Sequence, residues 1–120
     1  MSRDTRRQAN RRGHGAETLA GILLRVKGYR ILARSYRVPA GEIDIIAGRG
    51  NVISFVEVKA RDSLSDALDA VSPTQRRRIA RAAEHYLSQH PNLLGRDIRF
   101  DVIAVLPGKL PKHIIDAWRT

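Results

Sequence analysis

The sequence predicts an α/β domain with a central mixed β-sheet flanked by helices. Three observations carry this. Apolar residues recur at helical spacing near the N-terminus, before three strand-like runs. A strong helix start stands at Ser72-Pro73-Thr74-Gln75. A further alternating run follows from Asp97 to Leu106. At 120 residues, the chain is long enough for one ordinary core.

Residues 1–13 hold five arginines and no large apolar residue after Met1, so they read as a flexible basic arm. Residues 14–120 read as the single domain. Its first helix is expected over His14 to Lys27, burying Leu19, Ile22, Leu23 and Val26 and stopped by Gly28. Strands are expected at Tyr29–Arg37, Glu42–Ala47 and Val52–Lys59. Pro39-Ala40-Gly41 and Gly48-Arg49-Gly50-Asn51 make the turns between them. A short helical turn falls within Ala60–Val71. A second long helix runs from Ser72 to about His90 and buries Ile79, Ala82, Ala83, Tyr86 and Leu87. The strand at Asp97–Leu106 places Ile98, Phe100, Val102, Ala104 and Leu106 on one side, and Ile114–Trp118 reads as a last edge strand.

Lys and Arg total 22 against 12 acidic residues, giving a net charge of +10. The sequence pI is near 11.2. Such a field attracts polyanions, and 18 of the 22 basic residues are arginine, which matches phosphate in a bidentate way. Nucleic acid is the expected partner, ahead of an anionic membrane surface. The arm arginines Arg6, Arg7, Arg11 and Arg12 are candidates to touch it, or they form a solubilising tail. Arg61, and Arg77, Arg78 and Arg81 on the outer face of the second long helix, are further candidates. A solvated helix face is their alternative role. No run of about 20 apolar residues exists, so no membrane partner is expected and a cytoplasmic location is. The absence of cysteine excludes disulfides and thiolate metal sites.

If Arg49 and Gly50 are the central residues of a tight hairpin, Glu42, Asp44, Glu57 and Lys59 share one face of it, with Asp44 diagonal to Glu57. Ile43, Ile45, Ala47, Val56 and Val58 then form the opposite, core face. Crowded carboxylates repel unless a cation joins them. Mg²⁺ or Mn²⁺ takes such oxygen donors. The alternative is an ion-pair network around Lys59. Gln75 is either a helix cap or a contact with this cluster, and Asp101 is expected to pair with an arginine.

Glu42-Ile43-Asp44, twelve residues, then Glu57-Val58-Lys59 resembles the core of the PD-(D/E)XK nuclease superfamily. More closely, the chain is similar to the YraN family of small bacterial proteins. That similarity runs through Gly15-Ala16-Glu17, Gly41-Glu42-Ile43-Asp44, Phe55-Val56-Glu57-Val58-Lys59-Ala60-Arg61, Ala70-Val71, Gln75-Arg76-Arg77 and Arg99-Phe100-Asp101-Val102. It covers about His14 to Trp118. The resemblance implies a restriction-endonuclease-like fold and an Mg²⁺- or Mn²⁺-dependent endonuclease, Holliday-junction-resolvase-like, acting on linear or branched DNA. It implies metal binding by Asp44 and Glu57, with Glu17 as a helix-borne acid, and a catalytic role for Lys59. The Pro that often precedes the superfamily's Asp is replaced by Ile43. A homodimer follows by analogy with resolvases. The competing expectation is a catalytically silent nucleic-acid-binding module, or an adaptor in DNA repair, uptake or recombination.

Overall fold

The computed structural model describes residues 3–120, with side chains from Gly15 onward. Helix α1 (Arg3–Val26) leads into strands β1 (Arg30–Val38), β2 (Gly41–Arg49) and β3 (Val52–Ala60). Helices α2 (Leu64–Asp69) and α3 (Pro73–Ser88) and a 3₁₀ turn (Pro91–Leu93) precede β4 (Asp97–Val105) and β5 (Lys112–Trp118). The five strands form one sheet in sequence order. All neighbours are antiparallel except β3 and β4, which are parallel. A parallel pair cannot be closed by a tight turn, and the segment carrying α2 and α3 supplies the crossover. This is the expected α/β arrangement, a mixed sheet flanked by helices, as a restriction-endonuclease-like fold has.

The sheet is buried on both faces. One core joins Ile46, Ile53, Phe55, Phe100, Val102 and Trp118 to the α3 residues Ile79, Ala82, Ala83 and Tyr86. The other joins Ile45, Ala47, Val56, Val58 and Ile103 to Ala16, Ala20 and Leu24 of α1. Helix α3 begins as expected: the Ser72 hydroxyl accepts the Gln75 N–H at 3.1 Å and Pro73 takes the first position. Gly28, at φ +89, ends α1 in the left-handed region that glycine adopts without strain.

Two expectations about faces are corrected. Helix α1 does not bury Leu19, Ile22 and Val26, which are 45%, 50% and 79% exposed. It seats Ala16, Ala20 and Leu24 instead, with Leu23 partly buried. Alanines four residues apart let the helix axis approach the sheet closely, and the larger side chains fall to the flanks. Ile43 packs toward α3 with Ile46, not with Ile45 and Ala47. The regular β2–β3 ladder ends at Ile45–Val56. Beyond it the Asp44 carboxylate, not a backbone carbonyl, accepts the Val58 N–H at 2.8 Å, and the alternation of faces breaks there. The backbone of α1 also extends upstream of the expected start at His14. The arm arginines Arg6, Arg7, Arg11 and Arg12 lie outside the residues whose side chains are described.

Gly41 is required by a close approach. A Cβ there would lie 2.2 Å from the Arg78 carbonyl oxygen and 2.7 Å from its carbon, both backbone atoms of α3. Gly41→Ala should therefore push α3 from the start of β2 and cost about 1–3 kcal/mol. Urea denaturation checks this; an unchanged midpoint would contradict the contact.

Candidate functional site

The hairpin turn sits one residue later than the sequence suggested. Arg49 pairs with Val52, so Gly50 and Asn51 are the central residues, and Gly50 takes φ +56. Extending that register sets Asp44 level with Glu57 instead of diagonal to it. The two expected metal ligands thus stand together at the end of the ladder, and their side chains are hydrogen-bonded to each other. Glu57 is buried at 5% exposure, whereas Asp44 is half-buried. The Lys59 amino group lies 3.7 Å from a Glu57 oxygen, with its own side chain 15% exposed.

Gln75 reaches this group from the first turn of α3. With its amide turned to present nitrogen to an acceptor and oxygen to a donor, it donates to the Ala70 carbonyl at 3.1 Å and accepts from Lys59 Nζ at 3.2 Å. The two sequence options are thereby resolved: Ser72 is the cap, and Gln75 is the contact with the cluster. Lys59 is held between a carboxylate on its own strand and an amide on the facing helix.

Glu42 stands apart from this pairing. Glu42 is exposed and faces Arg37 at 3.5 Å, a solvent pair of small energetic weight. Its charge still acts on Glu57 from a distance. Glu17 is half-buried on α1 beside Ala16. Among the described residues, no three His, Asp or Glu side chains are grouped to hold an ion. Two adjacent carboxylates, hard oxygen donors with one of them buried, nevertheless fit Mg²⁺ or Mn²⁺, which characteristically take one or two carboxylates and keep waters.

Burial, then the hydrogen bond and negative charge of Asp44, push the Glu57 carboxyl from 4.5 up to about 9, against the lowering pull of Lys59. The folded-state pKa lies above the unfolded one. Between those two values the folded chain holds a proton that the unfolded chain has released, so stability falls as pH rises from 4.5 to about 9. In chelator, Glu57→Gln should remove that slope and exceed the wild type by about 5 kcal/mol near pH 8, the two converging toward pH 4.5. Urea titrations at several pH values check it; parallel curves for both proteins would contradict it.

The candidate phosphate-binding arginines are dispersed. Arg61 is exposed after β3 and donates to the Ala60 carbonyl. Arg77 and Arg81 are exposed on α3, and Arg77 donates to the Thr74 hydroxyl at 3.2 Å. Arg78 is exposed where its backbone meets Gly41.

A second polar cluster lies under α1. Asp101 is fully buried and pairs with Arg99, as expected, at 2.8 Å. Its other partners escaped the sequence reading. The Ser54 hydroxyl donates at 2.7 Å, His113 Nε2 at 2.7 Å and the Asp116 N–H at 2.9 Å. Lys27 Nζ donates to His113 Nδ1 at 2.6 Å, and Arg99 also bonds the Tyr29 hydroxyl. Burial alone would raise the Asp101 carboxyl; the bonds from His113, Arg99, Ser54 and the Asp116 N–H outweigh it and hold the group well below the usual range. Asp116 takes φ +56 beside a register shift in β4–β5, which turns its N–H toward Asp101. The sequence signal was there: Ser54 and Asp101 are polar residues set between large apolar neighbours in inner strands.

Comparison with known proteins identifies the family. The family model described as "Uncharacterised protein family UPF0102" matches residues 16–105. A "UPF0102 protein" of Parvibaculum lavamentivorans is 50% identical over 111 residues, covering 92% of this chain and 84% of that protein. Another, of Chelativorans sp., is 49% identical over 113 residues, covering 94% and 91%. A third, of Bradyrhizobium sp. strain BTAi1, is 52% identical over 110 residues, covering 92% and 81%. The chain belongs to the UPF0102 family, the YraN family that its motifs resemble. The matched span contains Asp44, Glu57, Lys59 and Gln75, so the site lies within the family domain.

Proposed function

We propose that this chain is a divalent-cation-dependent nuclease that hydrolyses DNA phosphodiester bonds, branched structures included. The observation that carries the reading is the joining of Asp44, Glu57 and Lys59 at the end of the β2–β3 ladder, with Lys59 fixed by Gln75. Asp44 and Glu57 would hold Mg²⁺ or Mn²⁺, which supplies Lewis acidity and a water of lowered pKa when bound. Asp44 is anchored for this by the Val58 N–H, which fixes the direction of its second oxygen. Glu57, drawn up by burial, needs a neighbouring positive charge to ionise near neutral pH, and Lys59 offers part of it. Lys59 Nζ is placed to orient a water or to steady charge developing on a phosphate oxygen. In the hydrolysis a water oxygen bonds to phosphorus, one ester P–O bond breaks and the departing oxygen takes up a proton. The net charge of +10 favours a polyanionic substrate. No helix among the described residues is long and apolar enough to cross a membrane.

The test is cleavage of linear, single-stranded and four-way-junction DNA with Mg²⁺, Mn²⁺ or chelator. Metal-dependent cleavage of at least one substrate supports the reading. Absence of cleavage of all of them under every metal condition, by protein that still binds DNA, contradicts it in favour of a silent binding module.

A further inference from the structure

The arginines of α3 divide. Arg78 lies where α3 crosses Gly41, whereas Arg76, Arg77 and Arg81 turn toward the C-terminal strand. There they line a groove of about 420 Å³ between α3 and the end of β5, with Ala80, Trp118 and Arg119. Four of the lining side chains are guanidinium groups and none is acidic. Arg119 is partly neutralised by Asp116 at 2.9 Å; Arg76, Arg77 and Arg81 have no acidic partner among the described ion pairs.

The floor of the groove is aromatic. Trp118 stacks on Phe100 at 5.3 Å and 20°, and the Arg76 guanidinium covers the indole at 5.6 Å from its centre. Arg76 Nε is tied to the Val71 carbonyl at 3.1 Å, which fixes that guanidinium in place. Trp118 is only 6% exposed, and its indole N–H is the one buried side-chain polar atom without a partner among the described residues. Such a donor is costly to leave unpaired. An apolar floor rimmed by guanidinium groups suits a nucleic-acid strand, whose sugars and bases need apolar or planar surface and whose phosphates need paired N–H donors.

We infer that this groove is a non-catalytic subsite for the phosphodiester backbone of a nucleic-acid strand, with Arg76, Arg77 and Arg81 as its phosphate contacts. The inference rests on the nucleic-acid reading above for its ligand, but not on cleavage. Trp118 lies level with Phe100 and Phe55 across the sheet. It is therefore two strand spacings, about 10 Å, from the strand that carries Glu57.

Trp118 is the only tryptophan in the chain, so intrinsic fluorescence reports on the groove without a label. The full chain is titrated in chelator with a single-stranded deoxyoligonucleotide, with inorganic phosphate and with polyglutamate, following both Trp118 emission and oligonucleotide anisotropy. The oligonucleotide should change the emission saturably. Arg77→Gln/Arg81→Gln, two exposed positions on a helix that tolerates glutamine, should bind about 25-fold more weakly at 0.1 M salt, from a slope of about 0.7 per phosphate contact. Oligonucleotide binding that leaves the emission unchanged and is equal in the variant overturns the groove while the nucleic-acid reading stands. An oligonucleotide that does not bind at all overturns both. Inorganic phosphate or polyglutamate matching the oligonucleotide in affinity overturns the assignment to a strand.

Discussion

Lys59→Ala should lower metal-dependent DNA cleavage by at least about 100- to 1,000-fold while leaving DNA affinity within about threefold of wild type. The reason is positional. Lys59 is mostly buried, lies 3.7 Å from Glu57 and is held from the other side by Gln75, so its ammonium is committed to the site and not to the solvent-facing charge field. Glu57→Ala should lose activity to a similar extent, because it removes the buried member of the carboxylate pair. Single-turnover cleavage and binding in chelator separate the two effects. Equal activity in wild type and both variants would identify a contaminating nuclease and remove the site.

Asp101→Ala should be the most destabilising single substitution, at about 3–5 kcal/mol by urea denaturation. The carboxylate is fully buried and accepts from Arg99, His113, Ser54 and the Asp116 N–H. Removing it strands a guanidinium and three further donors. Those donors come from β3, β4 and β5, while Lys27 and Tyr29 extend the same network to the end of α1. Amide exchange in β5 should accelerate most, since that edge strand has only β4 as a neighbour in the sheet. A loss below about 1 kcal/mol would show that the network carries little of the stability. Because Asp101 lies under α1, away from Lys59 and Gln75, stabilised conditions should restore cleavage to this variant but not to Lys59→Ala.

Element types were legible in the sequence because local signals and long-range packing agreed. Ser72 and Pro73 start α3, Gly28 ends α1, and the apolar runs of β3 and β4 mark strands covered on both faces. The buried face of α1 was not legible. Hydrophobicity favours Leu19, Ile22 and Val26, but close seating on a sheet rewards the small Ala16 and Ala20. The pairing of Asp44 with Glu57 was legible as a shared face but not as a register, because Arg49-Gly50 and Gly50-Asn51 are both good turn pairs. The Glu42 position shows the limit of alternation: Asp44 bonds to the Val58 N–H, the pleat breaks, and Glu42 is left to Arg37. Gln75 could not be assigned from sequence, since capping and site contact demand the same residue at the same helix turn. The partners of Asp101 come from positions as much as 47 residues away, which no local pattern records.

The central claim, that Asp44 and Glu57 form one divalent-cation site, is tested most directly by thermal melts of wild type and Asp44→Asn, each in chelator and in Mn²⁺. Asparagine keeps an oxygen for the Val58 N–H while removing the charge beside Glu57. In chelator the variant should therefore be as stable as the wild type or more so. A ligand that binds only the folded chain at one hundred times its Kd adds about 2.7 kcal/mol. For a domain of this size that is a rise of roughly 10 °C in wild-type Tm. The account predicts that rise in the wild type and its near-disappearance in Asp44→Asn. A large loss of stability in Asp44→Asn with or without Mn²⁺, or an equal Mn²⁺ response in both proteins, would contradict it.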